Sequence, residues 1–224
     1  MPRRWWFVFF LGMFVPSASA QERSLPKVVL IGDSIRLGYA PLVTKRLEGK
    51  AIVVSPKPNG EDSGNVLKNL DEWVIKEKPD VVHINAGLHD LKLTDHTYQV
   101  SLIDYESNLK EILGRIGRET GANVIFATST PILDNLHALR NAGFDRFEAD
   151  VQKYNVVAIA VMNQAGIPVN DLHKLIEDGG KEKLMADDGT HYTPAGYEML
   201  AAAVTDYILR ALAQLNNRRP ATRP

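Results

Sequence analysis

Short apolar runs alternate with longer amphipathic stretches along most of this chain. The runs Lys27–Ile31, Ala51–Ser55, Val81–Asn85, Ala122–Thr128 and Ile167–Asn170 are rich in Val and Ile and almost uninterrupted. A strand with one wet face alternates polar and apolar residues, whereas a strand buried on both faces does not. The five runs therefore predict a parallel sheet covered on both sides. The stretches between them predict helices over 35–48, 64–77, 98–119, 147–165 and 194–213. The last opens with Thr193 as N-cap and Pro194 at the first helical position. This βα alternation implies a three-layer α/β/α sandwich around a five-stranded parallel sheet, with right-handed crossovers. No internal repeat or linker divides residues 21–224, which read as one domain with a core at about 27–212. The polar tail 216–224 is expected to fray.

The first twenty residues stand apart. Arg3 and Arg4 precede an apolar stretch from Trp5 to Val15, and Ala18-Ser19-Ala20 fits a small-x-small cleavage site. That is the build of a secretory signal, and the stretch is shorter than the roughly 20 residues of a spanning helix. The expectation is an exported protein, periplasmic or extracellular after cleavage near Ala20. With no cysteine in its 224 residues, the chain can carry neither a lipid anchor nor a disulfide. Cleavage would remove two arginines and no acid, leaving 24 basic against 27 acidic side chains and a net charge of −3. Nothing in that balance points to nucleic acid or an anionic membrane as partner.

In open parallel sheets, ligands bind beyond the carboxyl ends of the strands. Ser34 follows the first predicted strand, at a strand-to-helix turn in Gly32-Asp33-Ser34-Ile35. Asp188 and His191 lie far away, in Asp-Gly-Thr-His. A serine hydroxyl needs a base, histidine titrates in the right range, and a carboxylate must orient it. Ser34, His191 and Asp188 are the candidate triad; Asp187 competes with Asp188, and Asp33 reads as a structural cap. The Ser34 N–H at a helix start and the Gly60 N–H in Pro-Asn-Gly-Glu are candidate oxyanion donors. Arg36 reads either as an anion clamp or as a surface residue. His83 reads as a buried sheet residue, and His96, His137 and His173 as surface or helix-edge positions. Trp73 reads as packing. His89, Asp90, Asp187 and His191 should converge, but no metal-ligand spacing joins them, so no metal is assigned.

These residues give the chain a resemblance to the SGNH hydrolases, also called the GDSL lipase/esterase superfamily. Block one of that family is matched by Gly32-Asp33-Ser34-Ile35, block two by Gly60, and block five by Asp188 and His191. Block three is normally Gly-x-Asn-Asp and here reads Gly87-Leu88-His89-Asp90. His89 thus stands where the family carries its oxyanion asparagine. An imidazole N–H can donate in its place, and Asn85 is the alternative donor. The resemblance implies a flavodoxin-like fold, a Ser-His-Asp esterase without a cofactor, and a short acyl ester or acetylated carbohydrate as substrate. Thioesters, lysophospholipids and aryl esters stay open. The alternative is a non-catalytic glycan-binding or assembly protein on the same fold.

Overall fold

A computed structural model describes residues 24–218. Five strands form one parallel sheet: β1 (Lys27–Ile31), β2 (Ile52–Val54), β3 (Val81–Asn85), β6 (Asn123–Ala127) and β7 (Val169–Asn170), in the spatial order β2-β1-β3-β6-β7. This is the doubly wound flavodoxin-like order. Its switch point lies between β1 and β3, where the chain has gone outward to β2 and then returns to the other side of β1. The central strands are the most apolar. Val28 to Ile31 and Val81 to Ile84 are all at most 1 % exposed, and a Leu or Ile so buried contributes about 1.5–3 kcal/mol.

Helices cover both faces. α1 (Ser34–Arg46) packs against α8 (Pro194–Arg218) on one side. On the other lie α2 (Ser63–Lys68), α3 (Leu102–Glu119) and α5 (Glu148–Ala165), each touching the next. The N-cap expected at Thr193 is present: its hydroxyl accepts the Gly196 N–H at 3.2 Å. α8 continues to Arg218, past its expected end.

Three parts of the pattern differ from expectation. The helix predicted over 64–77 is interrupted: α2 stops at Lys68 and a short π-helical turn, Asp71–Ile75, follows. The helix predicted from residue 98 starts at Leu102. A hairpin of β4 (Leu93–Thr94) and β5 (Thr97–Tyr98) takes the preceding residues, turning on Asp95 and His96, both with positive φ. Two successive left-handed residues are what a tight hairpin turn requires. Three short helices were not predicted by their bounds: α4 (Asp134–Leu139), α6 (Leu172–Gly179) and α7 (Lys181–Leu184). Among the described residues no helix is long and apolar enough to cross a membrane. The expected signal, residues 1–20, lies outside the described residues.

Arg36 ties the loop after β2 to the end of β1. It is 2 % exposed, so it is neither a surface residue nor an anion clamp. Its guanidinium donates to the Gly32 carbonyl from Nε (3.2 Å) and Nη2 (3.0 Å), to the Pro56 and Pro58 carbonyls (2.7 and 2.8 Å) and to Ser55 Oγ (2.9 Å). A planar fork can meet several acceptors at once; an ammonium cannot match its geometry. We expect Arg36→Met to cost about 3 kcal/mol in urea unfolding, because it strips buried carbonyls of their donors. Arg36→Lys should recover less than half of that.

Candidate active site

Asp33 builds the turn that presents Ser34. Its carboxylate caps α1 by accepting the Ile35 N–H at 2.9 Å, and burial raises its pKa. Ser34 is the first residue of α1, and its N–H has no hydrogen-bond acceptor among the described residues. The start of a helix favours developing negative charge there.

The partner loop runs from Ala186 to His191 and is closed at its base by the Ala186 N–H donating to the His191 carbonyl at 2.8 Å. Within it, Asp188 Oδ1 accepts the backbone N–H groups of Thr190 (2.9 Å) and His191 (2.8 Å). Asp188 Oδ2 lies 2.6 Å from His191 Nδ1, and His191 Nε2 lies 2.9 Å from Ser34 Oγ across 157 residues of sequence. Asp187 is exposed and makes no such contact, so the geometry selects Asp188 as the neighbour of the imidazole. Burial by itself would raise the Asp188 carboxyl. The bonds from the His191 ring and from the two backbone N–H groups outweigh it and hold the group at about 2.

The expected oxyanion donors fare differently. Gly60 is required by close approach, since a Cβ there would stand 2.6 Å from the Gly32 carbonyl oxygen. Its N–H, however, already donates to that oxygen at 3.0 Å, so it is not free for a second acceptor. One N–H of the Asn85 amide donates to the Ala127 carbonyl at 2.9 Å, which leaves its second N–H as the alternative donor. His89 also has a ring nitrogen without a partner, the buried Nδ1. Burial, reinforced by Arg146 and Lys92, pushes the His89 pKa down to about 3. It is a neutral imidazole across the working pH range. Gly87 makes this turn possible: its φ is +138°, and a Cβ would meet Ser129 Oγ at 2.5 Å. Asp90 makes no contact with Ser34. It accepts the Ser63 N–H and hydroxyl and so pins block three to the start of α2.

Of the other histidines, His83 is buried in β3 as expected, 3.2 Å from Asn170 Nδ2, with burial lowering its pKa to about 3. His137 is not a surface residue; it is 2 % exposed, with Nδ1 3.2 Å from Thr190 Oγ1. That contact braces the Asp188–His191 loop from α4, as does the Leu133 N–H donating to the Gly189 carbonyl at 2.9 Å. Among the described residues, Glu148, His173 and Glu177 bring ligand-type atoms within 4.8 Å of one another. Glu148 already binds the Ile132 N–H and the His173 ring, and Glu177 pairs with Lys181. A cavity of about 610 Å³ among α3, α5 and α8 opens at the other end of the sheet and has no part of the Ser34 cluster in its wall.

A family model for the GDSL-like lipase/acylhydrolase family matches residues 30–199, from β1 into α8. The chain belongs to that family. It is a hydrolase acting on ester bonds. Among its relatives, the human isoamyl acetate-hydrolyzing esterase 1 homolog is 24 % identical over 208 residues, 85 % of this chain and 84 % of that protein. A lipase/acylhydrolase from Enterococcus faecalis has a TM-score of 0.71 at 27 % identity, over 82 % of this chain and 95 % of its own. An acetylxylan esterase from Geobacillus stearothermophilus shares the fold, with a TM-score of 0.66 at 22 % identity over 84 % and 94 %.

Asp188 gives a pH test of the geometry. A carboxyl whose pKa falls from 3.8 to about 2 on folding adds stability that is complete above pH 4 and is lost as the pH drops through 2. Because its side chain is 30 % exposed, the contribution is about 1 kcal/mol after solvent screening. Asp188→Asn should be less stable by that amount at pH 7 in urea unfolding. The difference from wild type should close between pH 4 and pH 2.

Proposed function

We propose that the chain is an exported serine esterase that removes short acyl groups, chiefly acetyl, from the hydroxyls of a carbohydrate. The observation that carries this reading is the chain of contacts Ser34–His191–Asp188, at 2.9 and 2.6 Å, at the start of a helix. Acetyl as the acyl group is supported by the relatives, one named for isoamyl acetate and others for acetyl xylan. Export is supported by the Arg3-Arg4 start, the apolar stretch and Ala18-Ser19-Ala20.

In this mechanism Ser34 Oγ attacks the ester carbonyl while His191 Nε2 takes its proton. Asp188 holds the ring so that Nδ1–H points at the carboxylate and Nε2 at the serine, and it stabilises the imidazolium that forms. The tetrahedral oxyanion is met by the Ser34 N–H and by His89, whose neutrality lets one ring nitrogen donate. Collapse expels the alcohol, which takes the proton back from His191. Water then attacks the acyl carbonyl and gives a proton to His191, which passes it to Ser34 Oγ as the bond to the acyl group breaks and the acid leaves.

The test is turnover of 4-nitrophenyl acetate. Ser34→Ala and His191→Ala should each lose about 10⁶ in kcat, and the double variant should be little worse than either, because the groups act as one unit. His89→Ala should lose about 10²–10³ in kcat with little change in KM, and His89→Asn should recover part of it. Full turnover by Ser34→Ala would end the serine mechanism. Failure of the wild type to react with a fluorophosphonate at Ser34 would favour a binding protein on this fold.

Export has its own check. Protein recovered from the medium or periplasm should begin at Gln21 on N-terminal sequencing, whereas retention of Met1 in a cytoplasmic fraction would refute it.

A further inference from the structure

Two buried arginines flank the site, and they differ in one respect. Arg36 has an acceptor for every nitrogen. Arg146, 5 % exposed, has none: it makes no hydrogen bond or ion pair among the described residues, and its Nε is sealed from solvent without a partner. A buried charge is costly unless something pairs with it. Burial lowers the Arg146 pKa, against the pull of Asp33, to about 10, so the group stays charged at neutral pH.

Its position is fixed. Asp145 and Leu93 exchange backbone hydrogen bonds at 2.8 and 2.9 Å, which sets the Arg146 segment beside Lys92. The Arg146 Cζ and the Lys92 Nζ each lie 4.9 Å from the centre of the Phe144 ring. Both cations bear on His89, and Arg146 also feels Asp33 and Asp188. Neither acid is its ion-pair partner, since Asp33 is occupied in capping α1 and Asp188 in holding His191. The Phe144 ring under the guanidinium is itself 5.7 Å from the ring of His137, whose Nδ1 meets Thr190 Oγ1, so Arg146 stands one ring away from the brace of the Asp188–His191 loop with its donors unspent.

We propose that Arg146, assisted by Lys92, binds a carboxylate on the alcohol half of the ester, so that the preferred substrate is an acylated acidic alcohol such as an O-acetylated uronate sugar. This rests on the esterase reading above. A planar guanidinium matches a carboxylate with two parallel hydrogen bonds, and a buried site strengthens the attraction. The alcohol half is assigned because the acyl group proposed above is a short, uncharged acetyl, which leaves the alcohol half of the ester to carry the anion.

The experiment compares kcat/KM for 4-acetoxybenzoate, with a carboxylate on the alcohol side, and for its neutral amide, 4-acetoxybenzamide. Wild type should favour the carboxylate at least tenfold, mostly through KM. Arg146→Met should bring the ratio to about one, and Arg146→Lys should leave it in between, each variant checked for folding by its melting curve. A ratio of one or less in wild type, or an unchanged ratio in Arg146→Met, overturns the proposal. So does a larger gain for the mono-4-nitrophenyl ester of succinic acid over 4-nitrophenyl acetate, which would put the carboxylate on the acyl side. Calorimetry on Ser34→Ala with 4-hydroxybenzoate and 4-hydroxybenzamide needs no turnover. Tighter binding of the carboxylate would uphold the anion site even if no ester were hydrolysed, and equal binding would refute it even in an active esterase.

Discussion

The carbonyl oxygen of Gly32 accepts three hydrogen bonds: one from the Gly60 N–H at 3.0 Å and two from Arg36, at 3.0 and 3.2 Å. It sits two residues before Ser34, at the point where β1 gives way to α1. Through it, the loop after β2 is drawn against the end of β1 and held there by Arg36, whose other donors take the Pro56 and Pro58 carbonyls. The Ser34 turn is thus braced on two sides, by the Asp33 cap on its own helix and by a neighbouring loop. An active site of the proposed kind needs such rigidity, since a displacement of about 1 Å at the reacting atoms can cost a hundredfold in rate.

The same bond explains why a sequence can name Gly60 correctly and still misassign its work. The resemblance put Gly60 in the family's second block, and the position does demand glycine. The demand comes from contact with the Gly32 backbone, and the N–H that the oxyanion would use is occupied. Arg36 was misread for a related reason: two of its acceptors are the backbone carbonyls of Pro56 and Pro58, 20 and 22 residues away, and carbonyls leave no trace in a sequence.

What was legible follows from burial. The central strands, covered on both faces, read as unbroken apolar runs, and β1 and β3 were found at their observed bounds; edge strand β2 was found by its β-branched run although it is not buried. Ser34, Asp188 and His191 were legible because a short motif fixes each one locally; the sheet then brings them together. The segments that fill the rest of the rim were not. The β4–β5 hairpin depends on two left-handed residues, Asp95 and His96, neither of which is glycine. Arg146 and His137 lie in the stretch between β6 and α5, where no periodicity marks a buried side. Their burial comes from docking against the hairpin and the Asp188–His191 loop, a property of the tertiary structure alone.

The placement of charge around Ser34 has one consistent sense. Asparagine at block three would be indifferent to its surroundings, because it has no charge to lose. A histidine there donates as a neutral group only if its surroundings keep a second proton off. Burial does most of this, and Arg146 and Lys92 add to it. Those same cations favour the negative charge that develops on a tetrahedral intermediate, so the field that keeps His89 neutral also aids the step His89 is proposed to serve. A buried Arg146 without an acceptor is a cost to the fold that its contact with the Phe144 ring offsets only in part; the anionic ester proposed above would offset the rest.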